Sequence, residues 1–262
     1  MKLARLCCLA ALAPLLLAQT AGVNDLLASV RKQIQSADFR ATGHLIRVQA
    51  NGARISFPIT IKAHAFPGLL RIRADIGELT KTAAAPASGL RLPVHLLMEM
   101  RPNGQHAIWI AHPGDKAAQL LPFDKWSDGP LGPEFSYEDI LEQQYFWSGQ
   151  TNTGKAKFGA RDCEVVKSTP GPADKTHYAS VKTWIDPSIG YPVYAEKTAK
   201  ESGAVKEFTS YGLRREQGQW SAHQIEVKIH GQAGSTMLIV DRGSTKANLT
   251  AADFALEQLT KF

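Results

Sequence analysis

Cysteine is almost missing from this 262-residue chain: there are three, and two of them, Cys7 and Cys8, fall in the first ten residues. Past that point only Cys163 remains, and one thiol cannot form an internal disulfide. Stability therefore rests on an apolar core, which a chain of this length builds without staples. Arg161, Asp162, Glu164 and Val165 surround Cys163 mostly with carboxylates, which disfavour a thiolate, so it reads as a small core residue and not a nucleophile. Also lacking is a long hydrophobic run. The longest, Leu6 to Leu17, holds roughly a dozen residues, whereas a membrane-spanning helix needs about 20.

A dominant charge is lacking too. Thirty Lys and Arg face 24 Asp and Glu, a net +6, and the basic residues are scattered, which excludes a nucleic-acid footprint. Weak attraction to an anionic membrane surface and ordinary solubility explain the surplus equally well. Catalytic signatures are missing as well. The eight His residues, at 44, 64, 95, 106, 112, 177, 223 and 230, are dispersed without ligand spacing, and there is no G-x-S-x-G elbow, P-loop or dinucleotide fingerprint. Glu138, Asp139 and Glu142 lie close together, but acids in a first helical turn serve the helix dipole without chemistry. The expectation is a protein that is not an enzyme and uses no metal or cofactor.

What is present begins with an export signal. Lys2 and Arg5 precede the apolar run, and small or polar residues follow it from Ala18 to Gly22. Residues 1–21 are expected to be a signal peptide, cleaved after Ala18 or Ala21, leaving 22–262 as one domain in the periplasm. Cys7 and Cys8 stand at the start of the run, where a lipid-attachment cysteine would end it. Without Lys2 and Arg5 the mature chain has 28 basic and 24 acidic residues, a net +4.

Asn24 is a suitable N-cap for a helix with Leu26, Leu27, Val30 and Ile34 on one stripe. From Arg40 the period becomes two. Ile55, Phe57, Ile59 and Ile61 alternate with polar residues, and Pro58 in that run suggests an edge or bulge. Further strands are expected at 70–74, 94–100, 106–111, 155–158, 163–168, 177–186, 191–198, 205–213, 221–230 and 235–241, with turns between nearly all of them. Residues 81–89 read as an exposed loop. Ser136 with Asp139, and Thr250 with Asp253, have capping-box spacing and predict short helices, the second carrying Phe254, Leu256 and Leu259. The fold class is mainly β with a few helices: one wide antiparallel sheet of about eleven strands, curved into an incomplete barrel.

From Ala107 to Trp147 the chain carries Ile108, Trp109, Ile110, Leu121, Pro122 and then Phe135 to Ile140; later come Gly159 to Val166, Trp184 to Asp186, Tyr191 to Glu196, Tyr211, and the closing Leu249, Thr250, Asp253 and Phe254. In order and spacing these resemble the outer-membrane lipoprotein-sorting family related to LolA. The resemblance implies a half-open barrel with a helical lid that binds acyl chains of lipoproteins or lipids in a hydrophobic interior. Its implied partners are those acylated cargoes, an inner-membrane exporter and an outer-membrane acceptor, with the chain itself monomeric. A carrier moving cargo toward the outer membrane is one implied role; a periplasmic sensor or assembly protein of the same fold is the other.

The residues expected to line that interior are Ile55, Phe57, Ile59, Ile61, Ile72, Met98, Met100, Trp109, Ile225, Val227 and Ile229. The lid is expected to involve Ile140, Leu141, Tyr145, Phe146 and Trp147. Each of these residues also fits plain core, and an ordinary helix closing the core is the alternative to a moving lid. The decisive question is whether the hollow of the sheet is packed solid.

Overall fold

The computed structural model describes residues 13–77, 92–101, 104–130, 132–216 and 218–262, with side chains from Gly22 onward. The predicted loop at 81–89 and most of the apolar run lie outside them. One α-helix, α1 (Ala13–Gln35), leads into β1 (Asp38–Val48), β2 (Arg54–Phe66), β3 (Leu69–Ile76), β4 (Val94–Met100), β5 (Ala107–Ala111) and β6 (Gln119–Leu120). After an irregular stretch come β7 (Gly149–Phe158), β8 (Arg161–Thr169), β9 (Tyr178–Asp186), β10 (Tyr191–Ala199) and β11 (Val205–Tyr211). A small hairpin, β12 (Arg214–Glu216) and β13 (Gln219–Ser221), precedes β14 (Gln224–Ile229) and β15 (Ser235–Ser244). Five short 3-10 turns complete the described elements: Phe123–Lys125, Tyr137–Leu141, Gln143–Phe146, Ala251–Phe254 and Leu256–Gln258.

Thirteen strands form one antiparallel sheet in the order β6-β5-β4-β3-β2-β1-β15-β14-β11-β10-β9-β8-β7, two more than expected. β6 and β7 are its free edges, so the sheet does not close on itself. A sheet this wide curls, because strand twist accumulates and bulges bend individual strands. Register shifts occur at Thr42/Gly43, Asn152/Gly154, Pro192/Tyr194 and Thr198/Ala199. At the first of these Gly43 is obligatory, since a Cβ there would lie 1.9 Å from the Ile239 carbonyl oxygen.

The alternation read from the sequence decides which side chains enter the hollow. Leu45, Phe57, Ala74, Leu96, Met98 and Ile108 meet there in the largest buried cluster, with Trp126 and Leu141 over them. On the outer face of the same strands, Leu97 and Ala111 are covered by Leu249, Phe254 and Leu259 of the C-terminal segment. That segment is also pinned by polar contacts. Lys62 meets Asp253 at 3.0 Å, Arg73 donates to the Gln258 carbonyl at 3.3 Å, and Asp38 accepts the N–H groups of Asn248 and Leu249 at 2.8 and 3.0 Å.

Two local expectations are corrected. Asn24 caps nothing, because α1 runs unbroken from Ala13 through Ala18, Ala21 and Asn24; its buried stripe is nonetheless Val23, Leu27 and Val30, against Tyr145, Val166 and Ile185. Pro58 is neither at an edge nor in a bulge, since β2 pairs with both β1 and β3. Its carbonyl accepts the Gly77 N–H at 2.9 Å, one residue past the end of β3, so the N–H that proline lacks would face a place where the ladder has already stopped.

Candidate functional site

The irregular stretch between β6 and β7 turns back over the hollow, and the expected capping boxes are both formed: Asp139 accepts the Ser136 N–H at 2.8 Å, and Asp253 accepts the Thr250 N–H at 3.0 Å. Between this cover and the sheet lies a cavity of about 230 Å³. Its floor comes from inward positions of five adjacent strands, including Ile59 and Ile61 (β2), Leu45 (β1), Leu238 (β15), Ile225 and Val227 (β14) and Phe208 (β11); its roof is Phe135, Ile140 and Tyr145. A second cavity of about 300 Å³ opens near the end of α1 and the β2–β3 turn, lined by Ile34, Ala65, Leu70, Met100 and Phe146 among others. Both are near the lower end of the size range of small-molecule sites, about 300–1,000 Å³.

One end of the cavity beneath the cover is charged. Lys197 on β10 and Lys206 on β11 are cross-strand partners facing inward, and both reach the carboxylate of Asp139 on the cover, at 3.1 Å to Oδ1 and 3.1 Å to Oδ2. The Tyr178 hydroxyl donates to Oδ1 at 2.6 Å. Asp139 is wholly buried. Burial alone would raise its carboxyl, but Lys197, Lys206 and the Tyr178 hydrogen bond hold it well below the usual carboxylate range. The ammonium of Lys197 also lies 4.3 Å from the Phe208 ring centroid.

Next to this cluster, Glu138 accepts hydrogen bonds from the Thr176 hydroxyl, from Gln143 Nε2 at 3.0 Å and from the His177 N–H at 3.2 Å, and pairs with His177 Nδ1 at 2.9 Å. The cover is therefore fixed to the sheet by buried polar groups and not by apolar contact alone. Glu142, where two 3-10 turns meet, adopts a left-handed backbone (φ 47°, ψ 31°) and lines the cavity. Burial raises its carboxyl above the usual range, and Lys197 opposes that shift. Thr236, also on the lining, has a buried hydroxyl without a hydrogen-bond partner.

Of the residues expected to line the interior, Ile59, Ile61, Ile225 and Val227 border the cavity beneath the cover, and Met100 borders the second. Ile55, Phe57, Ile72 and Met98 belong to the packed cluster under β2 to β5 instead. Ile229 is buried on the inward face of β14, beyond the lining. Trp109 lies on the other side of the sheet: Ile108 and Ile110 take the inward positions of β5, and the period of two sends Trp109 outward against the C-terminal segment. In the cover, Ile140 and Tyr145 roof the cavity beneath it and Phe146 borders the second, whereas Leu141 is core and Trp147 packs with Tyr178, Val181 and Ala195.

Sequence reasoning missed the charged end. Asp139 read as a helix-dipole acid, and Lys197 and Lys206 fell inside predicted strands without being singled out. The available signal was parity, since Lys197 shares its face with Ala195, and Lys206 with Phe208 and Ser210. Cys163 is buried, with burial and then Asp186 raising its thiol. Among the described residues no three His, Cys, Asp or Glu side chains converge to hold a metal, and no helix is long and apolar enough to cross a membrane.

Residues 94–261, more than half of the chain, match a family model described as "-like: Uncharacterized protein". The chain belongs to that family. Known structures place its fold. A domain described as an outer-membrane lipoprotein-sorting protein from Vibrio parahaemolyticus superposes with a TM-score of 0.74 at 18% identity, over 90% of this chain and 98% of that one. A DUF1329 family protein from Desulfovibrio piger ATCC 29098 gives 0.73 at 16% identity, over 90% and 98%. A LolA superfamily protein from Nitrosomonas europaea gives 0.64 at 14%, over 90% and 99%. No curated protein matches in sequence. The family's fold is thus LolA-like: a broad antiparallel sheet, curved but not closed.

Proposed function

We propose that this protein is an exported, periplasmic carrier that takes the acyl chains of lipoproteins or lipids into the cavity beneath the cover and moves them toward the outer membrane, without catalysing a reaction. The observation that carries this reading is the cavity itself, walled by Ile59, Ile61, Ile225, Val227 and Leu238 and roofed by Ile140 and Tyr145. An apolar hollow kept open in a folded protein loses the contacts that would fill it, and hydrocarbon restores them at about 0.8 kcal/mol per buried methylene. The lipoprotein-sorting description of one structural neighbour and the export signal support the direction of transport.

Under this reading the turns at Tyr137–Leu141 and Gln143–Phe146 are the lid. The second cavity, near Met100 and Phe146, gives a longer chain somewhere to extend. The test is displacement of a fluorescent acyl probe from the wild-type chain and from Val227→Phe, whose added ring occupies the cavity floor. Binding by wild type and its loss in a normally folded Val227→Phe is the expected result. Equal binding by both variants places the acyl site elsewhere, and no binding by the wild type overturns the reading.

A further inference from the structure

The charged end of the cavity beneath the cover carries an unequal number of charges. Two ammoniums, of Lys197 and Lys206, share the single carboxylate of Asp139, and the exposure of these side chains is 5%, 12% and 0%. A surplus cation held away from water is costly unless something neutralises it. The remaining carboxyl on the lining is Glu142, which interacts with Lys197. Its left-handed backbone is uncommon for a residue with a Cβ and persists only where the surroundings impose it.

We infer, building on the acyl-chain reading, that the cavity selects amphiphiles with an anionic head, carboxylate or phosphate, seated on Lys197, and that Glu142 competes with that head for the same surplus charge. The geometry gives this its sense. Lys197 lines the cavity and Lys206 stands behind it, while the tail end of the cavity, toward Leu238 and Ile225, is apolar. An anionic head on Lys197 supplies the charge that Asp139 alone does not.

Glu142 then makes binding depend on pH. The groups facing it are Lys197 and Tyr191 from β10 and Tyr145 from the next turn, with Asp139 on its own segment. Tyr191 is pushed up to about 12 and Tyr145 well above its ordinary value, first by burial and then by Glu142, so both stay neutral; Asp139 stays ionised. Protonated, Glu142 leaves the surplus charge to the ligand. Ionised, it occupies that role and repels an anionic head. Raised above its ordinary value, it makes this change nearer neutrality than a free carboxyl would.

Calorimetry with 1-decanesulfonate, decanol and decyltrimethylammonium at pH 5.5 and pH 8 tests this, because the sulfonate stays charged throughout. At pH 5.5 the sulfonate should bind at least about tenfold more tightly than decanol, with the cation weakest, and its advantage should shrink about tenfold at pH 8. In Glu142→Gln the advantage should persist at both pH values. Lys197→Met should lower sulfonate affinity to that of decanol. Decanol binding with no preference for the sulfonate, or an equal pH loss in Glu142→Gln, overturns the inference and leaves the acyl-chain reading standing. Failure of all three probes to bind overturns both.

Discussion

Beneath β2 to β5 the hollow of the sheet is filled by the protein's own side chains, with Phe57, Leu96, Met98 and Ile108 at 1% exposure or less. Beneath β10, β11 and β14 the equivalent face carries Lys197, Lys206 and Ser210 among its apolar residues, and space remains. The outer faces differ in the same way. The C-terminal segment covers the β1–β5 side through Phe254 and Leu259, while the β8–β10 side carries only its own half-buried rings, Phe158 and Trp184 flanking Tyr194 at centroid distances of 4.7 and 4.9 Å. One side is anchored through apolar packing; the other is closed by ions on its cover. The lesson is that stability and vacancy divide the inward face of the sheet, and β2 carries both, with Phe57 in the packed core and Ile61 on the cavity wall.

The largest way to break this division is at the ionic closure. Asp139→Asn leaves two buried ammoniums without their carboxylate and is expected to cost about 3–5 kcal/mol in urea unfolding. Replacing all three groups, as Asp139→Leu with Lys197→Met and Lys206→Met, should recover most of that loss, since a buried ion set is often replaceable by apolar side chains of similar volume. On the packed side, Phe57→Ala should cost about 3–5 kcal/mol and Phe254→Ala a similar amount. On the vacant side, Ile61→Ala, half-buried beside the cavity, should cost about 1–2 kcal/mol, because there is less packing to lose. Equal costs at Phe57 and Ile61 would erase the distinction.

The pH dependence sharpens the comparison further. Asp139 is depressed in the fold, so its contribution is present above the ordinary value of 3.8 and is lost as pH falls below it. Acid titrations of wild type and Asp139→Asn should converge in that range. The smallest effect belongs to His106, which burial lowers from 6.5 to about 4 and whose Nδ1 accepts the Arg101 N–H at 3.2 Å. The unfolded chain takes up that proton first, so stability should decline as pH falls from about 6.5 to about 4, and His106→Gln should lessen the slope.

Most of the architecture was legible because alternation is strong. The run from Ile55 to Ile61 assigns β2 and its inward face, and the two capping boxes mark the turns at Ser136 and Thr250. The site was less legible, for two physical reasons. Parity has to be followed strand by strand: Trp109 looks like an interior aromatic until Ile108 and Ile110 claim the inward positions. And periodicity says which face a side chain takes but not whether the space above that face is filled, which is why Phe57 and Ile59, two residues apart on one strand, end in packed core and cavity wall. The partnership of Asp139 with Lys197 and Lys206 joins residues about sixty positions apart, and no local pattern announces it.

The C-terminal segment works on the sheet as a hoop works on staves. It grips the outside, through Asp253 to Lys62, Gln258 to Arg73 and Phe254 against the strands, so the bend of the wall is set from without. A wall braced in that way owes its curvature to contacts outside the hollow and not only to what packs within it.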